Sequence, residues 1–560
     1  MPENISNRKS KFLVPAISAA IVIAGGIAAY LYFKTTDDDS LTAMSSAKLV
    51  PANALMATYI KTDTDSWNEL QQFGTEQAQD LVKKRLQDFQ QDFFSGSDVS
   101  YETDIQSWIG GVMIAVLPEH ESDSTQENIS SQTQQESNVL LIIGIKDKIN
   151  ALNFANKLKQ QKDSQIEESE YKGQTIFTNQ SNNQPTYVAI LNNSHILLAP
   201  TQKAVEKAID TYKGEASFAT KEGANSLLSK GVDLDNTLVQ IYLPDHANVI
   251  QQLAALNPQS PQLQSQTIEQ LKQVKSMVAG IGVDDSGLRF KTIINLDPQL
   301  SKLNYQSSPG KIVSKFPNQT IALLTGQDIS KSWQAFLEES KQTPEIQQGV
   351  EQARKQLKTF TNLDLDQDIF SWMNGEFALG AVQSDQGLLE NVGFGGAIIL
   401  DTSDRKTAEA TLKKLDNLAK EQSLNVKQKT IAGKNITEWE IPFQGPLIAH
   451  GWLDQDTVFL ALGSPIAETI ANSQGKSLDQ SDRFKTITGS LEKPNGGYFY
   501  LDMEKATSVI NNFVTANQPL PADVNAILQS INGFGVTVNS PNQSIIQMEM
   551  LLSLKEGNSQ

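Results

Sequence analysis

The chain has 560 residues, with 64 acidic against 46 basic side chains and a formal charge of −18; it is too long for one hydrophobic core and fits two domains of roughly 250 residues each. The acidic residues are spread along the whole chain and repel a phosphate backbone, so no nucleic-acid partner is expected. The absence of cysteine removes disulfides, thiolate metal sites and a cysteine nucleophile together, and domains of this size can do without staples even in an oxidising compartment.

The first predicted element is Phe12 to Phe33, 22 consecutive positions without a charge. As a helix they span about 33 Å, enough for a hydrocarbon core of about 30 Å. Tyr30, Tyr32 and Phe33 sit where an interfacial aromatic belt belongs. Arg8, Lys9 and Lys11 precede the run and Asp37, Asp38 and Asp39 follow it, so the positive-inside rule puts the N-terminus in the cytoplasm and the bulk across the membrane. The expected organisation is a cytoplasmic tail (1–11), a transmembrane anchor (12–33) and a linker (34–46), with the remainder in the periplasm or a lumen. The rival reading is a secretory signal peptide cleaved near Gly26-Ile27-Ala28, but the run is longer than the usual apolar region of about 7 to 15 residues.

After residue 46 the chain repeats itself. Asp104-Ile105-Gln106-Ser107-Trp108-Ile109-Gly110-Gly111 returns 264 positions later as Asp368-Ile369-Phe370-Ser371-Trp372-Met373-Asn374-Gly375, and the flanking segments match in the same order. Pro51, Leu55 and Ser66-Trp67 correspond to Pro317, Ile321 and Ser332-Trp333. Leu55 to Ile60 and Thr320 to Thr325 read as strands, and Asp63 or Asp328 opens a turn into a helix. Trp67 to Phe94 is a long amphipathic stretch. In the repeated motif, Asp104 and Asp368 are expected to cap a short helix ending at Gly111 or Gly375. Strands follow at Val112 to Leu117 and Glu376 to Val382. His120 to Asn138 is a Ser/Gln/Glu-rich segment that reads as a solvated loop.

Val139 to Ile145 and Phe394 to Leu400 are continuous apolar runs suited to strands covered on both faces. Each leads to a helix, with Ile149, Leu152, Ala155 and Leu158 as one apolar stripe and Ala408, Leu412, Leu415 and Ala419 as the other. Gly173 and Gly433 mark turns before strands. A hairpin joins Tyr187–Leu191 to Ile196–Ala199 through Asn192-Asn193-Ser194, with a counterpart through Asp454-Gln455-Asp456. The next helix carries Ala204, Val205, Ala208 and Ile209, matched by Ile466, Ala467, Ile470 and Ala471. Strands at Thr237 to Leu243 and Tyr498 to Met503 precede a closing hairpin in each half. The fold expected is α+β: two duplicated units, 47–296 and 311–552, each a largely antiparallel sheet with packed helices. A connection at 297–310 joins them and a short tail, 553–560, follows.

The Pro-x3-Leu/Ile strand leading to Ser-Trp, the Asp-x3-Trp-x2-Gly element before an apolar strand, and the anchored N-terminus together resemble the uncharacterised, chiefly cyanobacterial family catalogued as domain of unknown function 3352. The resemblance covers about residues 46 to 552 and implies no catalytic residues.

Motifs tested for chemistry fail on their spacing. Gly475-Lys476-Ser477 has the tail of a phosphate loop, but Ile470 stands where its first glycine belongs. Gly393-Phe394-Gly395-Gly396 lacks the third glycine of a dinucleotide fingerprint and opens a strand. Asp364-x-Asp366-x-Asp368 begins like a calcium loop, yet Ile369 and Gly375 occupy the positions of its glycine and bidentate glutamate. His120, His195, His246 and His450 show no metal-ligand spacing. No catalytic, cofactor or metal residues are therefore expected, and the residues singled out are repeat markers: Trp67, Asp104, Trp108, Gly111, Trp333, Asp368, Trp372 and Gly375. The four tryptophans read first as core anchors and second as ligand contacts. The function expected is binding or scaffolding at a membrane surface, with a protein as possible partner. The alternatives are a hydrolase with a carboxylate site between the units, or a carrier of an apolar ligand.

Overall fold

The structure is a computed structural model that describes residues 42–63, 67–93, 100–118, 139–159, 166–181, 184–255, 265–300, 305–341, 343–390, 392–472, 477–514 and 520–557. The expected anchor at Phe12 to Phe33, the polar segment around His120, and Gly475-Lys476 lie outside these residues. Among the described residues no helix is long and apolar enough to cross a membrane. The chain divides into two compact units. Among the described residues, unit 1 comprises 42–72, 79–284 and 290–300, and unit 2 comprises 73–78, 285–289 and 305–557.

In unit 1 the sheet is built from β1 (Met56–Ile60), β2 (Ile109–Val116), β3 (Val139–Ile145), β4 (Ile166–Tyr171), β5 (Gln174–Ser181), β6 (Gln184–Leu191), β7 (His195–Ala199), β8 (Thr237–Leu243) and β9 (Val274–Asp284), and β9 turns into β10 (Gly287–Leu296). Pairing runs β4-β5-β6-β7-β3-β2-β1-β8-β9, antiparallel throughout. The apolar run in β3 is explained by its place between β2 and β7 with a core on each face. Leu140 and Ile142 join the core beneath helices Gln202–Tyr212 and Ala224–Lys230, whereas Leu141 and Ile145 join the core beneath helix Lys148–Lys159. Such alternation follows from the period of two along a strand. The β6–β7 turn places Asn192 and Asn193 at φ 51° and 53°, a left-handed pair that asparagine tolerates.

Unit 2 contains β11 (Thr320–Gln327), β12 (Glu376–Gln383), β13 (Phe394–Asp401), β14 (Asn425–Ile431), β15 (Lys434–Ile441), β16 (Gly445–Trp452), β17 (Thr457–Leu462), β18 (Tyr498–Asp502), β19 (Ile531–Asn542) and β20 (Ile545–Leu554). Pairing runs β14-β15-β16-β17-β13-β12-β11-β18-β19-β20, again antiparallel. Ile399 faces the core shared with helices Ser464–Ala471 and Asp482–Thr488, and Leu400 the core under helix Arg405–Glu421. Both units are thus α+β, with a large antiparallel sheet and helices on it.

Three local expectations are corrected. Asp104 and Asp368 do not cap a helix: each lies inside a π-helical turn, Tyr101–Ile105 or Leu365–Phe370, whose caps are Ser100 and Asp364. Gly111 does not end that turn, because the chain is already in β2. The stripe on Lys148–Lys159 is also different, since Ile149 is 72% exposed and the buried residues are Ala151, Phe154 and Ala155. Phe154 replaces Leu152 in the core because its ring stacks on Trp108, with centroids 5.5 Å apart.

Candidate functional site

The two Asp-x3-Trp motifs make the same set of bonds in their own units. The Asp104 carboxylate accepts the Ser100 N–H at 3.0 Å and Lys157 Nζ at 2.6 Å, while its carbonyl accepts Trp108 Nε1 at 2.7 Å. The Asp368 carboxylate accepts the Asp364 N–H at 2.8 Å and Lys414 Nζ at 2.7 Å, and its carbonyl takes Trp372 Nε1 at 3.0 Å and Thr411 Oγ1 at 2.6 Å. Burial pushes both carboxyls upward, but the hydrogen bonds and lysine charges outweigh it and hold them below the usual carboxylate range. Trp108 and Trp372 are 5% and 3% exposed. They anchor cores and offer no surface to a ligand. Lys157 and Lys414 were missed from sequence, although they stand at matching places, 257 positions apart.

The two glycine markers serve close approach. A Cβ on Gly111 would lie 1.8 Å from Tyr59 Oη, and one on Gly375 would lie 2.5 Å from the Asp401 carbonyl.

The outer tryptophans differ from the inner pair. Trp67 is half-buried and donates Nε1 to the Lys61 carbonyl at 2.7 Å. Trp333, on helix Ile329–Ser340, is also half-buried, but its indole stacks on Phe370 at 4.4 Å and on Phe336 at 5.5 Å. Ile329, Ser332, Trp333, Phe336, Phe370 and Phe377 line an open cleft of about 300 Å³. Trp333 Nε1 donates to Asp366 Oδ1 at 2.7 Å, and Arg354 reaches the same carboxylate with Nη2 at 3.1 Å and Nε at 2.9 Å. Burial raises the Asp366 carboxyl, yet Arg354 and the indole N–H together hold it low. A charged network therefore fixes the orientation of a half-buried tryptophan that lines an open cleft. Phe370 is the repeat position of Gln106, so this platform belongs to unit 2 by sequence.

The acidic run of the same motif is fully committed. Asp364 Oδ1 accepts the Asp366 and Gln367 N–H groups, Asp366 orients Trp333, and Asp368 holds Lys414. Among the described residues no group of three acidic or histidine ligands converges.

The histidines fall apart in the same way. His195 shares a hydrogen bond with its neighbour Ser194 at 2.9 Å. His450 is buried and lies 2.7 Å from Asp416 Oδ1, which also accepts Trp439 Nε1 at 2.7 Å. Burial raises Asp416, and these two donors pull it below its ordinary value. That is two of the three members of a triad, and among the described residues no serine hydroxyl bonds to His450. Burial pushes the Asp401 carboxyl up, while the Thr457 hydroxyl donates to it at 2.7 Å. A second opening in unit 2, about 710 Å³, is lined by polar residues including Gln319, Gln383, Asp385, Glu390, Glu468 and Asn472. It is not the dry cavity that an apolar carrier requires.

Among solved structures, crystal form IV of TP0453 matches with 12% identity over 45% of this chain and 81% of that one, at a TM-score of 0.26. Crystal form I matches with 11% identity over 49% and 83%, at the same TM-score. No curated protein matches the chain. The family model described as "Protein of unknown function (DUF3352)" matches residues 16–554, and the chain belongs to that family.

Proposed function

We propose that this is a single-pass protein held in a membrane by residues 12–33, with two copies of one α+β unit on the periplasmic or lumenal side, and that it binds or scaffolds a partner there. The duplication is supported by the strand neighbours: β3 sits between β2 and β7 as β13 sits between β12 and β17. The binding role rests on one observation, the Trp333 indole lining an open cleft and held in place by Asp366 and Arg354. Exposed aromatics with fixed orientation are what binding hot spots use, because little rotamer freedom is lost on contact.

The test combines topology with capture. The protein should stay in the membrane pellet after an alkaline carbonate wash, with protease reaching residues beyond Asp37 only from the non-cytoplasmic side; a mature N-terminus at Ala29 would remove the anchor. Pull-downs from detergent-solubilised membranes should lose the same captured protein when Trp333→Ala is used, with melting behaviour little changed. Identical capture by both proteins would sink the Trp333 reading.

A further inference from the structure

The sheet of each unit has an end strand of a single charge sign. Among the described residues β4 pairs with β5 alone and β14 with β15 alone. Each therefore leaves a row of backbone N–H and C=O groups without a strand beside it. On β4, Glu167, Glu168 and Glu170 are exposed; on β14, Lys427 and Lys429 are exposed. Lys427 is bonded to Glu440 and Lys429 to Glu468, both at 2.5 Å. The lysine end of each pair is exposed, so each ammonium has further donors to offer.

Charge on an edge ordinarily stops strands from pairing with their own kind. Here β4 against β4 sets glutamates on glutamates, and β14 against β14 sets lysines on lysines. β4 against β14 reverses the sign. Strand alternation puts Glu168 and Glu170 on one face of β4 and Lys427 with Lys429 on one face of β14, so the two rows have the same spacing. The strands are also matched in length, six residues and seven.

We propose that β4 of one copy of this protein pairs with β14 of a second copy, continuing the sheet from molecule to molecule. The contact is heterologous, head to tail, and builds an open chain or a ring according to the rotation between copies. A six-residue edge is a small interface, so association is weak and depends on concentration. This holds whether or not the Trp333 cleft binds a partner.

The 560-residue chain tests it, because its sequence holds no cysteine. Two proteins carrying Ser169→Cys on β4 and Gln428→Cys on β14 are mixed and treated with a short bismaleimide. A covalent dimer is expected in the mixture and far less in either protein alone. Adding Lys427→Glu and Lys429→Glu to the second protein lowers the yield about tenfold, and Glu168→Lys with Glu170→Lys in the first restores it. Raising salt to about 1 M, where screening acts within about 3 Å, also lowers the yield of the unreversed pair, and this arm needs no charge-reversed variant to fold. Equal yields in the mixture and the separate proteins, or a yield indifferent to salt, overturns the proposal.

Discussion

Trp372 gives the sharpest energetic prediction. Its side chain is 3% exposed, and its neighbours in the core are Leu400, Ala408, Leu412 and Val458. Burying up to about 250 Å² at about 25 cal/mol per Å² sets an upper bound near 6 kcal/mol, and measured truncations of core aromatics fall at about 3 to 5 kcal/mol. Trp372→Ala should therefore destabilise unit 2 by about 3 to 5 kcal/mol. For a unit of this size that lowers its melting temperature by about 6 to 20 °C. Trp372→Phe separates packing from hydrogen bonding. The Asp368 carbonyl keeps the Thr411 hydroxyl when the indole N–H is lost, so no buried acceptor is orphaned and the hydrogen-bond part of the loss stays near 1 kcal/mol. Denaturant unfolding followed by hydrogen exchange of unit 2 amides reads both. A loss below about 1 kcal/mol for Trp372→Ala would show that the indole is not a core anchor.

Two other predictions concern acid and glycine. Asp104 and Asp368 have carboxyl pKa values held below the unfolded range, so their contribution is full above about pH 4 and disappears as pH falls through the lowered folded value; Asp104→Asn with Asp368→Asn should flatten stability against pH on that acid limb, and an unchanged acid limb would contradict the assignment. Gly375→Ala forces a Cβ to 2.5 Å from a backbone carbonyl and should cost at least about 1 to 3 kcal/mol, whereas Gly349→Ala, in helix Pro344–Thr361 with nothing within 4 Å, should stabilise by about 0.8 to 1 kcal/mol. Thermal melts of the two variants that move in the same direction would refute this contrast.

Strands and hairpins were legible because alternation and turn residues are local signals. The run at Val139 to Ile145 became β3 with unchanged limits, and the two-sided burial expected of it follows from its continuous apolar sequence. Asp104 and Asp368 misled because an aspartate at the start of a short helix and one bonded four residues back inside a π-helical turn look alike in sequence. The stripe at Ile149 failed for another reason. Ile149 with Leu152 and Ala151 with Phe154 both satisfy helical spacing, and the choice was made by an aromatic partner 46 positions away, Trp108. The Trp333 platform was illegible in the same sense. Its second ring, Phe370, and its orienting pair, Asp366 and Arg354, come from elements that meet only in the folded unit.

The network that steadies Trp333 also uses up its chemistry. The indole N–H is given to Asp366, and the other polar side chain among the described residues lining the cleft, Ser332, donates its hydroxyl to the Asp328 carbonyl. What remains to a visitor is carbon and the acceptor lone pairs of the Ser332 hydroxyl. Such a surface gains from any apolar group that fits and has no side-chain donor left to tell one such group from another. Discrimination would come from the outline of a cleft of about 300 Å³ and from what the visitor carries outside it. A partner seated there would be chosen by shape, and exchanged for another of the same shape with little change in affinity.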